Sequence, residues 1–272
     1  MHPPDDMPGT AALTVLPESL RERLARAPLM LFLDVDGTLA PISARPEEAA
    51  VPAETKRVVA ALAVMAGTQV VLVSGRSAAE ARRMVSATHV WAVGNHGSEA
   101  IGPNGEEVVD ERVQPYEASL ARVARRLEAL LKAVPGVIVE DKRWSLSVHY
   151  RLADPAVVPQ VQATVAHVAA EHGLRLHDGK MVYEVRTPVE VDKGTAVLAL
   201  ARQLAGDDTL LAFIGDDRTD EDAFRALRAS DPGALTVRVT HGQDVPTEAQ
   251  YTLNDTGDVL DFLREVMRLR SV

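Results

Sequence analysis

A doubly wound, mostly parallel α/β sheet with an inserted α+β unit is the fold this sequence predicts. Three observations predict it. Short, wholly apolar runs stop at polar, turn-prone clusters: residues 29–33 before "DVDGT", 70–73 before "SGR" and 210–214 before "GDDRTD". Strands apolar on both faces suit a parallel sheet covered by helices on both sides. Helical patterns fall where crossovers belong, which makes the order strand–helix–strand. Finally, the middle of the chain loses the buried-strand pattern and reads as helix–hairpin–helix–hairpin.

In chain order, residues 1–17 are rich in proline and acid and read as a loose tail. Residues 29–33 form the first core strand, 52–65 a helix, 70–73 a strand, 77–86 a helix and 90–93 a strand ending in "GNHGSE". Residues 113–186 form the insert. Residues 115–134 and 155–173 are its helices, and "GVIVEDK", "WSLSVHYRL", "LRLHDGK" and "MVYEVRT" its strands. The core resumes with a helix over 193–204, a strand over 210–214, a helix over 219–229 and a strand over 235–239 ending in "THG". The core domain is thus 18–112 plus 187–272. In such sheets, ligands bind beyond the carboxyl ends of the strands, where every polar cluster just named lies.

Composition narrows the function. The chain has 272 residues, 46% hydrophobic and 25% charged, with no cysteine and a net charge of −10. A thiolate nucleophile and a disulfide framework are excluded, and the reading is a cytoplasmic protein. No apolar stretch approaches the ~20 residues that span a bilayer, no signal peptide is evident, and no basic stripe suits nucleic acid. The expected partner is a small molecule, and the expected state a monomer. An acidic protein with an anionic substrate needs local positive charge or a metal.

Asp34 and Asp36 stand two apart at a strand end, so their side chains are expected to reach into the same space. The "GDDRTDED" cluster brings Asp216, Asp217 and Asp220 to the same sheet edge. Clustered carboxylates repel unless a cation sits among them, and hard oxygen ligands favour Mg²⁺. Glu221, Asp222 and Arg225 read as a solvated helix face. Met30, Met65 and Phe213 read as core.

"DVDGTL", "SGR", the lysine of "DKGTAV" and "GDDRTDEDAF" resemble, in order, the four motifs of the haloacid dehalogenase-like phosphatases, whose core is Rossmann-like. With "GNHGSE", "EDKRWSLSVHYR" and "GKMVYEVR", the chain from about residue 28 onward is similar to trehalose-6-phosphate phosphatases. That resemblance implies hydrolysis of trehalose 6-phosphate through an aspartyl-phosphate, with Asp34 as nucleophile and Asp36 as general acid/base. It implies Mg²⁺ held by Asp34, the Asp36 carbonyl and Asp216, with Asp217 and Asp220 holding water on the metal. Ser74 and the Gly75 amide would bond phosphoryl oxygens, and Lys193 would add fixed positive charge.

Arg76 is expected either to touch substrate or to orient the site through an ion pair. His96 is expected either at the substrate or bonded to its turn. In the insert, which the resemblance makes a cap domain, Glu140 and Lys142 share one strand face, as do Lys180 and Glu184. Cross-strand salt bridges would explain them, but the resemblance makes them the sugar-hydroxyl contacts. Rival readings are a phosphatase for glucosylglycerol phosphate or mannosylglycerate phosphate, and a catalytically silent sugar-phosphate sensor. The residues ahead of the core are too few for a glycosyltransferase domain.

Overall fold

The computed structural model of the protein describes residues 11–13, 16–43, 48–179 and 181–271. The chain divides into two compact units. One is built from the segments up to Val108 and from Val191 onward, the other from Val109–Glu190. These divisions fall four residues outside 113 and 186, the limits the sequence suggests for the insert.

The first unit holds β1 (Ala11–Ala12), α1 (Glu18–Arg26), β2 (Leu29–Asp34), α2 (Ala53–Ala63), β3 (Thr68–Val73), α3 (Ala78–Val85), β4 (Trp91–Gly94), β5 (Glu99–Ile101) and β6 (Glu107–Val109). The insert supplies α4 (Glu117–Leu131), β7 (Ile138–Asp141), β8 (Leu146–His149), α5 (Val158–Glu171), β9 (Arg175–Gly179) and β10 (Val182–Arg186). The first unit then resumes with α6 (Lys193–Leu204), β11 (Leu210–Gly215), α7 (Arg218–Ser230), β12 (Leu235–Val239), β13 (Tyr251–Leu253) and α8 (Thr256–Arg270).

The large sheet has the order β1-β13-β12-β11-β2-β3-β4-β5-β6. Strands from β1 across to β4 run parallel, and β5 turns antiparallel to β4. The chain proceeds from β2 toward β3 on one side and returns at β11 on the other. The carboxyl ends of β2 and β11 therefore flank the switch point of the sheet, where doubly wound folds bind ligands.

Alternation sorts the central strands into two cores. Leu29, Leu31 and Leu33 pack on one side with Leu210, Ala212 and Ile214. Met30 and Phe32 pack on the other with Leu211 and Phe213. Phe32 and Phe213 are register partners and stack with centroids 6.3 Å apart. Burying each such side chain contributes roughly 1.5–3 kcal/mol, and a one-residue slip would exchange the two faces. The register is thereby pinned, and Asp34 stands level with the start of the "GDD" turn.

Two sequence expectations change here. A loose tail through residue 17 is not what the described part shows: Ala11–Ala12 pair with Tyr251 and Thr252 as an edge strand, and Leu13 is buried. Residues 1–10 lie outside the described residues. Glu221 is not on a solvated face. It accepts from Arg238, from the Thr247 hydroxyl at 2.8 Å and from the Glu248 amide at 2.7 Å, anchoring the segment after β12. The sheet brings β12 beside β11, a contact that helix periodicity cannot reveal. Met30 and Phe213 are buried, and Met65 is partly buried against the core.

In the second unit, β7-β8-β10-β9 form an antiparallel sheet. Leu146, Val148, Tyr183 and Val185 face α4 and α5 and close a core with Leu120, Leu127, Val161 and Val165. The other face carries the polar residues considered below. Among the described residues, no helix is long and apolar enough to cross a membrane.

Candidate active site

The site starts where β2 runs out. Asp34 is its last residue and is 3% exposed. Beyond it the chain folds back tightly, with Leu39 and Ala40 both donating to the Val35 carbonyl and Gly37 donating to that of Ala40 at 2.7 Å. Gly37 has φ +89°, and a Cβ there would sit 2.1 Å from Oδ2 of Asp216. Glycine is required twice over, for the left-handed backbone and for the close approach of that carboxylate. The strand alternation does not extend to Asp36. Its half-exposed carboxylate meets Arg76 while that of Asp34 stays buried.

Two helix starts complete the other side. Asp192 caps α6 through a capping box with Thr195, which sets Lys193 in the first turn. Asp217 caps α7, accepting from the Thr219 and Asp220 amides, while Asp220 accepts from the Asp217 amide. Gly194 lets the two helices meet, since a Cβ there would lie 2.5 Å from the Asp222 carbonyl. The Lys193 ammonium, 1% exposed, donates to Asp34 Oδ1 and Asp220 Oδ1, both at 2.7 Å, and lies 3.8 Å from Asp217. Asp220 Oδ2 accepts from the Asp216 and Asp217 amides at 2.9 and 3.0 Å. Both Asp220 oxygens are thus committed to holding the turn and the lysine.

Charge is unbalanced. Asp34, Asp216 and Asp220 each offer an oxygen within 4.8 Å of the others, with Asp217 alongside and the Lys193 ammonium among them. Burial pushes Asp34 up to about 8, against the pull of Lys193 and with added repulsion from Asp216 and Asp217. Asp216 is also pushed up to about 8, by burial first and then by Asp220 and Asp217. Burial works against the Lys193 charge, but its three aspartate neighbours outweigh it and hold the ammonium well above the usual lysine range. Asp34 Oδ2 and Asp216 Oδ1 are buried with no hydrogen-bond partner among the described residues. Two open carboxylate oxygens in an all-oxygen cluster short of positive charge fit a hard divalent cation.

The "SGR" segment forms the third wall. Ser74 is buried at the end of β3, its hydroxyl accepting from the Arg76 amide at 3.1 Å. The Arg76 guanidinium grips Asp36 with two bonds of 2.7 and 2.8 Å and reaches Glu80 with a third. His96, at φ 56°, donates its amide to the Ser74 carbonyl. A Cβ on Gly75 would come within 2.6 Å of the His96 ring. Arg76 thus holds Asp36 and Glu80, and His96 is bonded to its turn through its backbone amide. Glu80, the second anchor of Arg76, escaped the sequence reading; it lies in the first turn of α3, which Arg76 precedes.

In the second unit, register aligns Glu140, Ser147, Glu184 and His177 in one row across four strands. Glu140 meets His149 Nε2 at 2.9 Å and lies 4.0 Å from the Lys142 ammonium. Glu184 pairs with Arg186. Lys180 lies outside the described residues. The sequence reading missed His149, Arg186 and His177. Alternation places His149 and Arg186 on this face, but the strand order brings in His177.

A buried aspartate at the switch point, a buried lysine and an acid cluster after β11 thus form one site at the edge of a doubly wound sheet. Residues 32–257 match the trehalose-phosphatase family model, and the chain belongs to that family. Trehalose-phosphate phosphatase B of Arabidopsis thaliana is 34% identical over 251 residues, spanning 88% of this chain and 66% of the plant protein. An uncharacterized glycosyl hydrolase of Mycobacterium tuberculosis is 34% identical over 95% of this chain, which spans 20% of that protein. The crystal structure of a trehalose-6-phosphate phosphatase related protein aligns with a TM-score of 0.78 at 25% identity, over 88% of this chain and 97% of that one.

Proposed function

We propose that this chain hydrolyses trehalose 6-phosphate to trehalose and phosphate, with Asp34 as nucleophile and Mg²⁺ as cofactor. The observation that carries the reading is Asp34 itself. One oxygen is tied to Lys193 at 2.7 Å, and the other is buried and open toward the site. A carboxylate held in place by Lys193 is oriented to attack phosphorus with one oxygen while the other faces the cation. Asp34, Asp216 and the Asp36 carbonyl would hold the cation, which when bound screens the anionic phosphate from the anionic nucleophile. Lys193 keeps Asp34 oriented. Ser74 and the Gly75 amide bind phosphoryl oxygens. Asp36 turns from Arg76, protonates the departing sugar oxygen and then takes a proton from the water that cleaves the aspartyl-phosphate.

The polar sheet face of the second unit supports a polyhydroxyl sugar as leaving group, because Glu140, Lys142 and Glu184 offer both acceptors and donors. The protein acts in the cytoplasm, as a monomer, on this small molecule. Phosphate release from a panel of sugar phosphates, with and without Mg²⁺, tests the reading. Trehalose 6-phosphate should be the best substrate, chelation should abolish turnover and Mg²⁺ should restore it. Near-full activity of Asp34→Asn would remove the covalent mechanism. In Glu184→Ala, kcat/KM should fall more for trehalose 6-phosphate than for glucose 6-phosphate. Equal losses would remove the selectivity role.

A further inference from the structure

The "THG" cluster that ends β12 has no part in the chemistry above. Thr240 to Gln243 form a tight turn closed by a 3.0 Å bond from the Gln243 amide to the Thr240 carbonyl. Both central residues have positive φ, His241 at 52° and Gly242 at 72°. That is the pattern of a type I′ turn, whose first central position is dominated by Asn, Asp and Gly. A histidine there holds a strained backbone, and such strain persists where the surroundings or function maintain it. β12 runs parallel beside β11, with Gly215 level with Arg238. The turn therefore lies at the same sheet edge as Asp216. His241 Nε2 comes 3.3 Å from Asp216 Oδ2.

We propose that His241 is a positioning residue for the divalent cation, acting through Asp216. The inference rests on the metal reading above. Asp216 is confined from two sides. Oδ2 faces the imidazole, and the bare α-carbon side of Gly37 leaves it no room for a larger neighbour. Oδ1 is buried and has no hydrogen-bond partner among the described residues, and Asp216 belongs to the cluster with Asp34. Nε2 stands 3.3 Å from Oδ2 without a hydrogen bond to it, and a small turn of the ring would let its N–H take that oxygen, leaving Oδ1 for the cation. Carboxylate ligands of metals are commonly held by such outer partners, and losing one typically costs about 10–100-fold in affinity.

Mn²⁺ binding to the full chain, followed by the loss of the free-ion EPR signal, tests this without turnover. His241→Gly removes the ring while suiting the backbone better than any other residue. It should weaken Mn²⁺ binding about tenfold or more, with the metal-free protein melting no lower than wild type. His241→Gln, whose amide N–H reaches toward the place of Nε2, should recover most of the affinity. Wild-type affinity in His241→Gly, alongside lost binding in Asp216→Asn, would overturn the positioning role and leave the metal reading standing. A lowered melting temperature in His241→Gly would make the role merely structural and overturn it too. Mn²⁺ binding equal in wild type and Asp216→Asn would sink the metal reading, and this inference with it.

Discussion

Replacing Lys193 by methionine removes an ammonium from a group of buried carboxylates while keeping most of the side-chain volume. Each of its two 2.7 Å pairs is worth about 6 kcal/mol of attraction at an effective dielectric near 20, before desolvation. Desolvation of the three ions offsets most of that. What remains on breaking such a pair is roughly 3–5 kcal/mol, because the surviving charges stay buried. In a domain of this size that is a fall in Tm of about 10 °C.

The deficit depends on pH, with a definite sign. Lys193 stabilises the ionised carboxylates, and Asp34 and Asp216 ionise near 8. Its folded-state value lies well above the 10.5 of an ordinary lysine. The lysine's own titration keeps its charge in place below 10.5 and removes the contribution only as pH rises through the raised lysine value; below that limit the contribution grows as the acids ionise near 8. Melts of the chelated proteins at pH 6 and pH 9 should show the larger gap at pH 9. A gap under 3 °C at pH 9, or equal gaps at both values, would refute the ion-pair account. Phosphate release by the variant should fall below a hundredth of wild type, since Asp34 loses its orienting partner.

Gly37→Ala forces a side chain onto a residue at φ +89°, costing roughly 1–2 kcal/mol for the backbone alone. Its Cβ also displaces Asp216, so turnover should drop at least tenfold, and full turnover would show that Asp216 is not needed where it stands. Arg76→Ala frees Asp36 from its two-bonded grip. Steady-state kinetics should show kcat reduced tenfold or more with KM changed less than threefold. A raised KM at unchanged kcat would return Arg76 to the substrate.

The core strands and the candidate chemistry were legible because each depends on local pattern. Residues 29–33 and 210–214 announce buried strands by being apolar on both faces, and β12 occupies the expected 235–239. The shortest strands were not legible. Ala11–Ala12, Glu99–Ile101 and Tyr251–Leu253 are strands of two or three residues. Runs so short carry no periodicity and owe their state to a neighbour already in place.

The sequence by itself determined which groups stand at the sheet edge: two aspartates after one buried strand, three after another and a lysine opening a helix. Hydrophobic alternation and helix capping act over a few residues, so they can be read along the chain. Only the tertiary structure decided how those groups divide their work. Packing of α6 on α7 through Gly194 fills both Asp220 oxygens, while Asp34 and Asp216 each keep one open. Strand order, which no local pattern encodes, set His241 beside Asp216 and His177 in line with Glu184. These contacts join residues far apart in sequence, and their partners are fixed by the packing of whole elements.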